Sequence, residues 1–159
     1  MPLTTEILER LAEMPRQMRA VATQLVGRER FRPSSDGKVF SLVEHACHLR
    51  DVEEEAFTVR IRRILREDDP KLPDFDGAAV AAERNYITQD VDTALRDFEA
   101  ARQRNIEALS TLDSVALERT GHLAGRGKTT LRRVAELILE HDTDHAAEIS
   151  QLLTAAGNR

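Results

Sequence analysis

The chain has 159 residues and a net charge of −5, with 41% hydrophobic and 32% charged residues, one cysteine and no tryptophan. That length suits one domain, residues 1–159, with enough chain for a real core, and excludes two independent enzyme domains. One cysteine excludes a disulfide framework and a four-cysteine metal site. The acidic balance argues against nucleic acid as a partner, and no apolar run approaches the roughly 20 residues that cross a bilayer. The opening Met1-Pro2-Leu3-Thr4-Thr5-Glu6 has neither the basic nor the apolar region of a secretory signal, so the expected compartment is the cytoplasm.

Ala, Leu, Glu and Arg abound, Gly and Pro are few, and no strand alternation stands out, so the expected fold class is all-α. A first helix is predicted from about Thr5 to Val26, with Ile7, Leu11, Met14, Met18, Val21 and Leu25 on one stripe. Pro15 predicts a kink or break within it. A second begins at Ser41, which forms a capping-box signature with Glu44, and continues to about Glu67. Its apolar side carries Leu42, Leu49, Val52, Ala56 and Val59, and Arg60, Arg62, Arg63 and Arg66 suit its negative pole. Asp68 to Gly77 reads as a loop, followed by a short helix around Ala78 to Asn85. A third long helix spans about Val91 to Leu112, with Leu95, Phe98 and Leu109 on one face. Asp113 to Lys128 is a glycine-bearing connection, and a fourth helix runs from near Thr129 to near Ala156. Four helices of matched length favour a four-helix bundle with its ligand site between helices.

The five histidines carry the functional signal. His141 and His145 stand one turn apart on the fourth helix, within the stripe of Leu131, Val134, Ile138, Ile149 and Leu152. Two imidazoles leaving an apolar stripe at that spacing can reach one cation, and neutral imidazole is the metal-binding form. The second helix offers His45 and His48. Periodicity places His45 nearer the centre of the stripe and does not decide which of the two ligates. Protons are expected to compete with metal near the ordinary histidine value of about 6.5. Among the acidic residues Asp51, Glu53, Glu55, Asp142, Asp144 and Glu148, Asp142 lies within the apolar stripe. It reads as a partner in a salt bridge to another helix, or as a group that orients a ligand histidine. Cys47 reads as a packed thiol.

The segment Phe40-Ser41-Leu42-Val43-Glu44-His45-Ala46-Cys47-His48-Leu49-Arg50-Asp51-Val52-Glu53 resembles the second-helix signature of the DinB/YfiT-like superfamily. His141-Asp142-Thr143-Asp144-His145 is similar to the H-x-x-x-H of its closing helix. Phe40 stands where the family usually has Trp. The resemblance implies an up-down-down-up bundle, a homodimer, and a divalent metal, zinc or nickel, held by His48, His141 and His145. It makes His45 an inward or supporting residue and leaves His122 in a solvent-exposed loop. It also implies an enzyme for thiol transfer or hydrolysis of a small-molecule substrate, some relatives using a low-molecular-weight thiol. The alternative is a non-catalytic, stress-associated binding or interaction protein with a structural or vestigial metal site.

Two other motifs fall away. Gly125-Arg126-Gly127-Lys128-Thr129 resembles the end of a phosphate-binding loop, but His122 holds the position that needs glycine. Its expected role is a turn into the fourth helix, with Arg126 and Lys128 able to attract an anionic substrate. The Glu-x-x-His pairs of a di-iron bundle are missing.

Overall fold

The computed structural model describes residues 1–159. Seven helices form: α1 (Thr5–Gln24), α2 (Leu42–Val52), α3 (Thr58–Arg66), α4 (Gly77–Arg84), α5 (Val91–Ser110), α6 (Ser114–Leu117) and α7 (Leu131–Gly157). Those that start from a loop are capped by Thr4, Ser41, Asp76, Asp90, Asp113 and Thr130, whose side chains accept from backbone N–H groups otherwise left unpaired. At α2 the box is reciprocal: Ser41 Oγ accepts from Glu44 N–H, and Glu44 Oε1 accepts from Ser41 N–H at 3.1 Å. This fixes the start of α2, and therefore the phase at which its histidines emerge.

α1, α2–α3, α5 and α7 make the bundle, and paired contacts give its directions. Arg19 meets Glu99 and Arg102 reaches Leu11, so α1 and α5 are antiparallel. Glu53 meets Arg102 while Thr58 meets Asn105, so the α2–α3 rod runs parallel to α5. His45 meets Glu148 while Phe57 meets His141, so the same rod is antiparallel to α7. α1 and α7 are parallel, with Ile7 beside Glu136 and Val21 beside Ile149. The topology is therefore up-down-down-up, with α1 and α2 on opposite corners.

The core is divided. One apolar cluster gathers Met18, Leu42, Leu49, Phe98 and Leu152 at one end, and a second gathers Leu11, Phe57, Ile64, Leu109, Leu131 and Ile138 at the other. Buried polar residues accompany them: Arg102, Asn105 and Asp142 lie between the two clusters on their helices, and His45, His48 and Glu53 flank the change-over on the α2–α3 rod. The bundle thus carries a polar layer at mid-height.

Three features depart from the sequence reading. The predicted second helix is one rod, but its middle, Glu53–Phe57, is a wide π turn. As a result Arg60 is buried and Val59 only half-buried, one residue out of step with the predicted stripe. Pro15 does not break α1. Proline lacks the N–H that would have bonded the Leu11 carbonyl, and Arg102 Nη1 donates to that oxygen instead, at 2.7 Å. Finally, a small sheet forms where no strand was expected. β1 (Lys71–Leu72) pairs parallel with β2 (Thr120–Leu123), which pairs antiparallel with β3 (Gly127–Thr130). Two to four residues cannot display alternation, and the β1–β2 pairing joins distant loops. The turn between β2 and β3 uses Gly125 and Gly127 at φ +76° and +83°, a region that favours glycine.

Candidate metal centre

α2 and α7 face each other antiparallel, so His48 descends onto the level of His141 and His145. Their Nε2 atoms form a near-equilateral triangle: 3.3 Å from His48 to His141, 3.1 Å from His48 to His145, and 3.1 Å from His141 to His145. A tetrahedral ion with N-ligand bonds of roughly 2.0–2.1 Å holds its ligand nitrogens about 3.3–3.4 Å apart, so the spacing fits one ion.

Hydrogen-bond accounting gives the same answer. A neutral imidazole nitrogen is either a donor or an acceptor. Among three nitrogens in mutual contact, at least two must be alike, and like groups facing at this distance repel. A shared cation accepts all three lone pairs. The protonation state agrees. Burial, reinforced by the His145 and His45 rings, pushes His48 down to about 3. Burial, His145, His48 and the Arg102 and Arg60 guanidiniums push His141 down to about 2. His145 is likewise lowered, first by burial. The folded triad therefore stays neutral well below the value of about 6.5 expected from sequence, and the predicted competition with protons near that pH is corrected by burial.

Packing holds the rings in place. Phe40 lies edge-on to both His45 and His48, with centroids 5.8 and 5.7 Å away, and Phe57 lies edge-on to His141 at 5.7 Å. Gly77, the first residue of α4, sits against His48; a Cβ there would fall 2.7 Å from His48 Cε1. No local residue pattern signals this role for Gly77, since the approach comes from a distant loop.

His45 is fully buried but belongs to the surround of the triad. Its Nδ1 lies 3.0 Å from the Phe40 carbonyl, so that nitrogen is the donor. Its Nε2 lies 2.9 Å from Glu148 Oε2, with one proton between them. The same oxygen is 3.3 Å from His145 Nδ1, close enough for attraction though poorly aligned for a hydrogen bond. A carboxylate on that side favours the proton on Nδ1 and leaves the Nε2 lone pair facing its two partners. His45, His145 and Glu148 could themselves group around an ion, but the Glu148 oxygen is already engaged by His45. The all-nitrogen triad is the better-formed site.

The remaining candidates have other duties. Asp142 and Glu53 both bind Arg102, whose Nη1 and Nη2 meet Asp142 at 2.7 and 2.9 Å and whose Nε and Nη2 meet Glu53 at 2.9 and 3.0 Å. With Leu11 O, all five guanidinium hydrogens are used. Asp51 is held by Tyr86, Arg50 and Arg84, and Glu55 by Arg84 at the surface. Asp144 is exposed. His122 is exposed as expected, though on β2 rather than in a loop, and pairs with Asp69 at 2.8 Å. Cys47 faces Gln89, and burial pushes its thiol up to about 11, far from a reactive thiolate.

An up-down-down-up helical bundle with three converging imidazoles between its second and last long helices defines a class of four-helix-bundle histidine proteins. The chain belongs to the DinB superfamily, which residues 9–149 match. A solved structure, YfiT from Bacillus subtilis, described as a probable metal-dependent hydrolase with an unusual four-helix bundle topology, shares the fold. Its TM-score is 0.87 at 21% identity, over 98% of this chain and 90% of that one. No curated protein matches the chain. No helix is long and apolar enough to cross a membrane.

Proposed function

We propose that the protein is a mononuclear metalloenzyme that hydrolyses a small-molecule substrate, or transfers a thiol to one, at a divalent ion held by His48, His141 and His145. The observation that carries this reading is the meeting of three neutral Nε2 atoms, from the buried His48 and the half-buried His141 and His145, within 3.1–3.3 Å. Three nitrogen ligands leave coordination positions open, and an ion so held, zinc or nickel, supplies Lewis acidity toward a carbonyl, water or thiol. The chain's own groups do the rest. Glu148 and His45 hold a proton at the edge of the site and orient His145. Phe40, Phe57 and Gly77 confine the rings. Hydrolysis gains support from the description of YfiT; thiol transfer rests on the superfamily resemblance.

Metal analysis tests the site. Wild type and His122→Ala should each bind one equivalent, whereas His141→Ala/His145→Ala should bind none; full occupancy in the double variant would reject the triad. Metal-loaded protein screened against esters and amides, and against electrophiles with cellular thiols, tests the reaction. Dimerisation belongs to the same reading. The shallow groove between α1 and α7, lined by Ala20, Val21, Ala147 and Leu153, supports it. Light scattering that returns the mass of one chain at every concentration would exclude it.

A further inference from the structure

A cleft of about 130 Å³ opens beside the triad, with His48 and His141 in its wall. Arg60, Asp74 and Arg126 also line it. Arg60 comes from α3 and is only 9% exposed, yet its Nε has no hydrogen-bond partner. Its guanidinium lies 5.5 Å from the centre of the Phe57 ring, the same ring that packs on His141, so it is held on an aromatic platform. Arg126 reaches the cleft from the glycine turn between β2 and β3. It acts on Arg60 as a like charge, and Asp74 as an opposite one. Asp74 forms no ion pair with either; its carboxylate accepts from the Phe75 N–H.

Burying the Arg60 Nε–H without an acceptor is costly, and the Phe57 ring offsets that cost only in part. Two guanidiniums and one carboxylate leave the cleft one positive charge in excess. Val52, Ala56 and Leu137 make other parts of the wall apolar. At about 30 Å³ per water the space equals about four waters, which suits a carboxylate and a few adjoining carbons.

We propose that this cleft seats the carboxylate of a monoanionic organic acid, held by Arg60 and by Arg126 at the turn, so that the acid's reacting bond lies against the His48–His141–His145 triad. The proposal rests on the metal-site reading and narrows its substrate to small carboxylic acids. With a divalent ion on the triad the positive charge is larger still, so the choice of a carboxylate over phosphate rests on the small, partly apolar cleft. Arginine offers a planar fork that pairs with both oxygens of a carboxylate.

The test uses butyrate, with butyramide as its uncharged counterpart and inorganic phosphate as the competing anion. Each is titrated by calorimetry and NMR into metal-free and zinc-loaded protein. Butyrate should bind both forms and butyramide neither. Arg60→Met should weaken butyrate binding to the metal-free form at least about tenfold, the scale of a charge-assisted hydrogen bond, and Arg126→Gln should weaken it less. Arg60→Met should melt no lower than wild type, because it removes an unpaired buried charge; a clear fall would make Arg60 a structural residue and overturn the proposal. Equal butyrate affinity in wild type and Arg60→Met, or in butyrate and butyramide, would also overturn it. Preferential, Arg60-dependent binding of phosphate would overturn the carboxylate assignment. Zinc stoichiometry, measured separately, keeps the two readings apart. Butyrate binding without zinc uptake leaves the seat standing and removes the metal, and zinc uptake without butyrate binding does the reverse.

Discussion

Two buried polar clusters share the middle of this bundle, and they are built on opposite plans. Around Arg102 every donor has an acceptor, and the acceptors come from α1, α7 and the π turn of the α2–α3 rod. Around the triad the nitrogens point at one another, Nδ1 of His48 and His141 have no partner, and the neighbouring Arg60 has none at its Nε. Adjacent residues on α7, Asp142 and His141, serve the two clusters, because successive side chains diverge by about 100° around a helix. The difference teaches how to tell a polar group that holds the fold from one that serves a ligand. Both are buried and both are costly to desolvate, but only the first has its valences filled from within the chain.

The largest expected effect falls on the closed cluster. Arg102→Met leaves Glu53 and Asp142 as buried carboxylates without a counter-charge, and should cost about 3–5 kcal/mol in a denaturant titration. A loss below about 1 kcal/mol would break the contrast, since the cluster would then not be a clasp. Acid acts on the open cluster. His48 at about 3 and His141 at about 2 lie below the unfolded value of about 6.5. As pH falls below about 6.5 the unfolded chain takes up protons that the folded chain refuses, so stability falls with pH. The slope for metal-free protein should be about 1.4 kcal/mol per pH unit for each such histidine, down to about pH 3, and flat above about pH 7. A flat stability profile between pH 6 and pH 4 would contradict neutral burial of the triad.

Smaller effects concern the support of the rings. Gly77→Ala forces His48 to move and should lower zinc affinity about 10–100-fold, the scale seen when the surround of a metal ligand is disturbed, with little change in the metal-free melting temperature. Glu148→Gln removes the charge shared by His45 and His145 and should lower affinity toward the lower end of that range. His122→Ala, which removes only an exposed pair with Asp69, should change stability by less than about 0.5 kcal/mol and leave zinc affinity unaltered.

Much of this was legible in the residues. The four long amphipathic stripes, the Ser41–Glu44 box and the one-turn spacing of His141 and His145 are local signals, and local signals survive folding. Asp142 stood out because a carboxylate in an apolar stripe needs a partner, although nothing nearby in sequence indicated Arg102. The choice between His45 and His48 was harder. Periodicity favoured His45, and His45 is indeed the more buried of the two. The triangle forms with His48 because the antiparallel approach of α7 places the meeting point off the centre of that stripe. The sheet, the contact of Gly77 with His48 and the exposure of the Leu11 carbonyl by Pro15 depend on segments far apart in the chain. On sequence grounds Arg60 suits the negative pole of its helix, and nothing local indicates that it borders the histidine cleft.

The π turn at Glu53–Phe57 acts as a phase shifter. His48 and Arg60 are twelve residues apart, and at about 100° per residue a regular helix would set them about 120° apart around the axis. A π turn takes up one extra residue without advancing the helical phase, which reduces the offset to about 20°. The turn therefore absorbs one residue and keeps the guanidinium on the histidine face, with α2 upstream and α3 downstream in a common phase. Deleting Glu54, which is exposed, should close the turn into a regular helix with eleven residues from His48 to Arg60, again about 20° apart, so Arg60 stays on the histidine face. In a lineage of such bundles, a one-residue insertion or deletion can be absorbed at this turn while Arg60 and the histidines keep their common face.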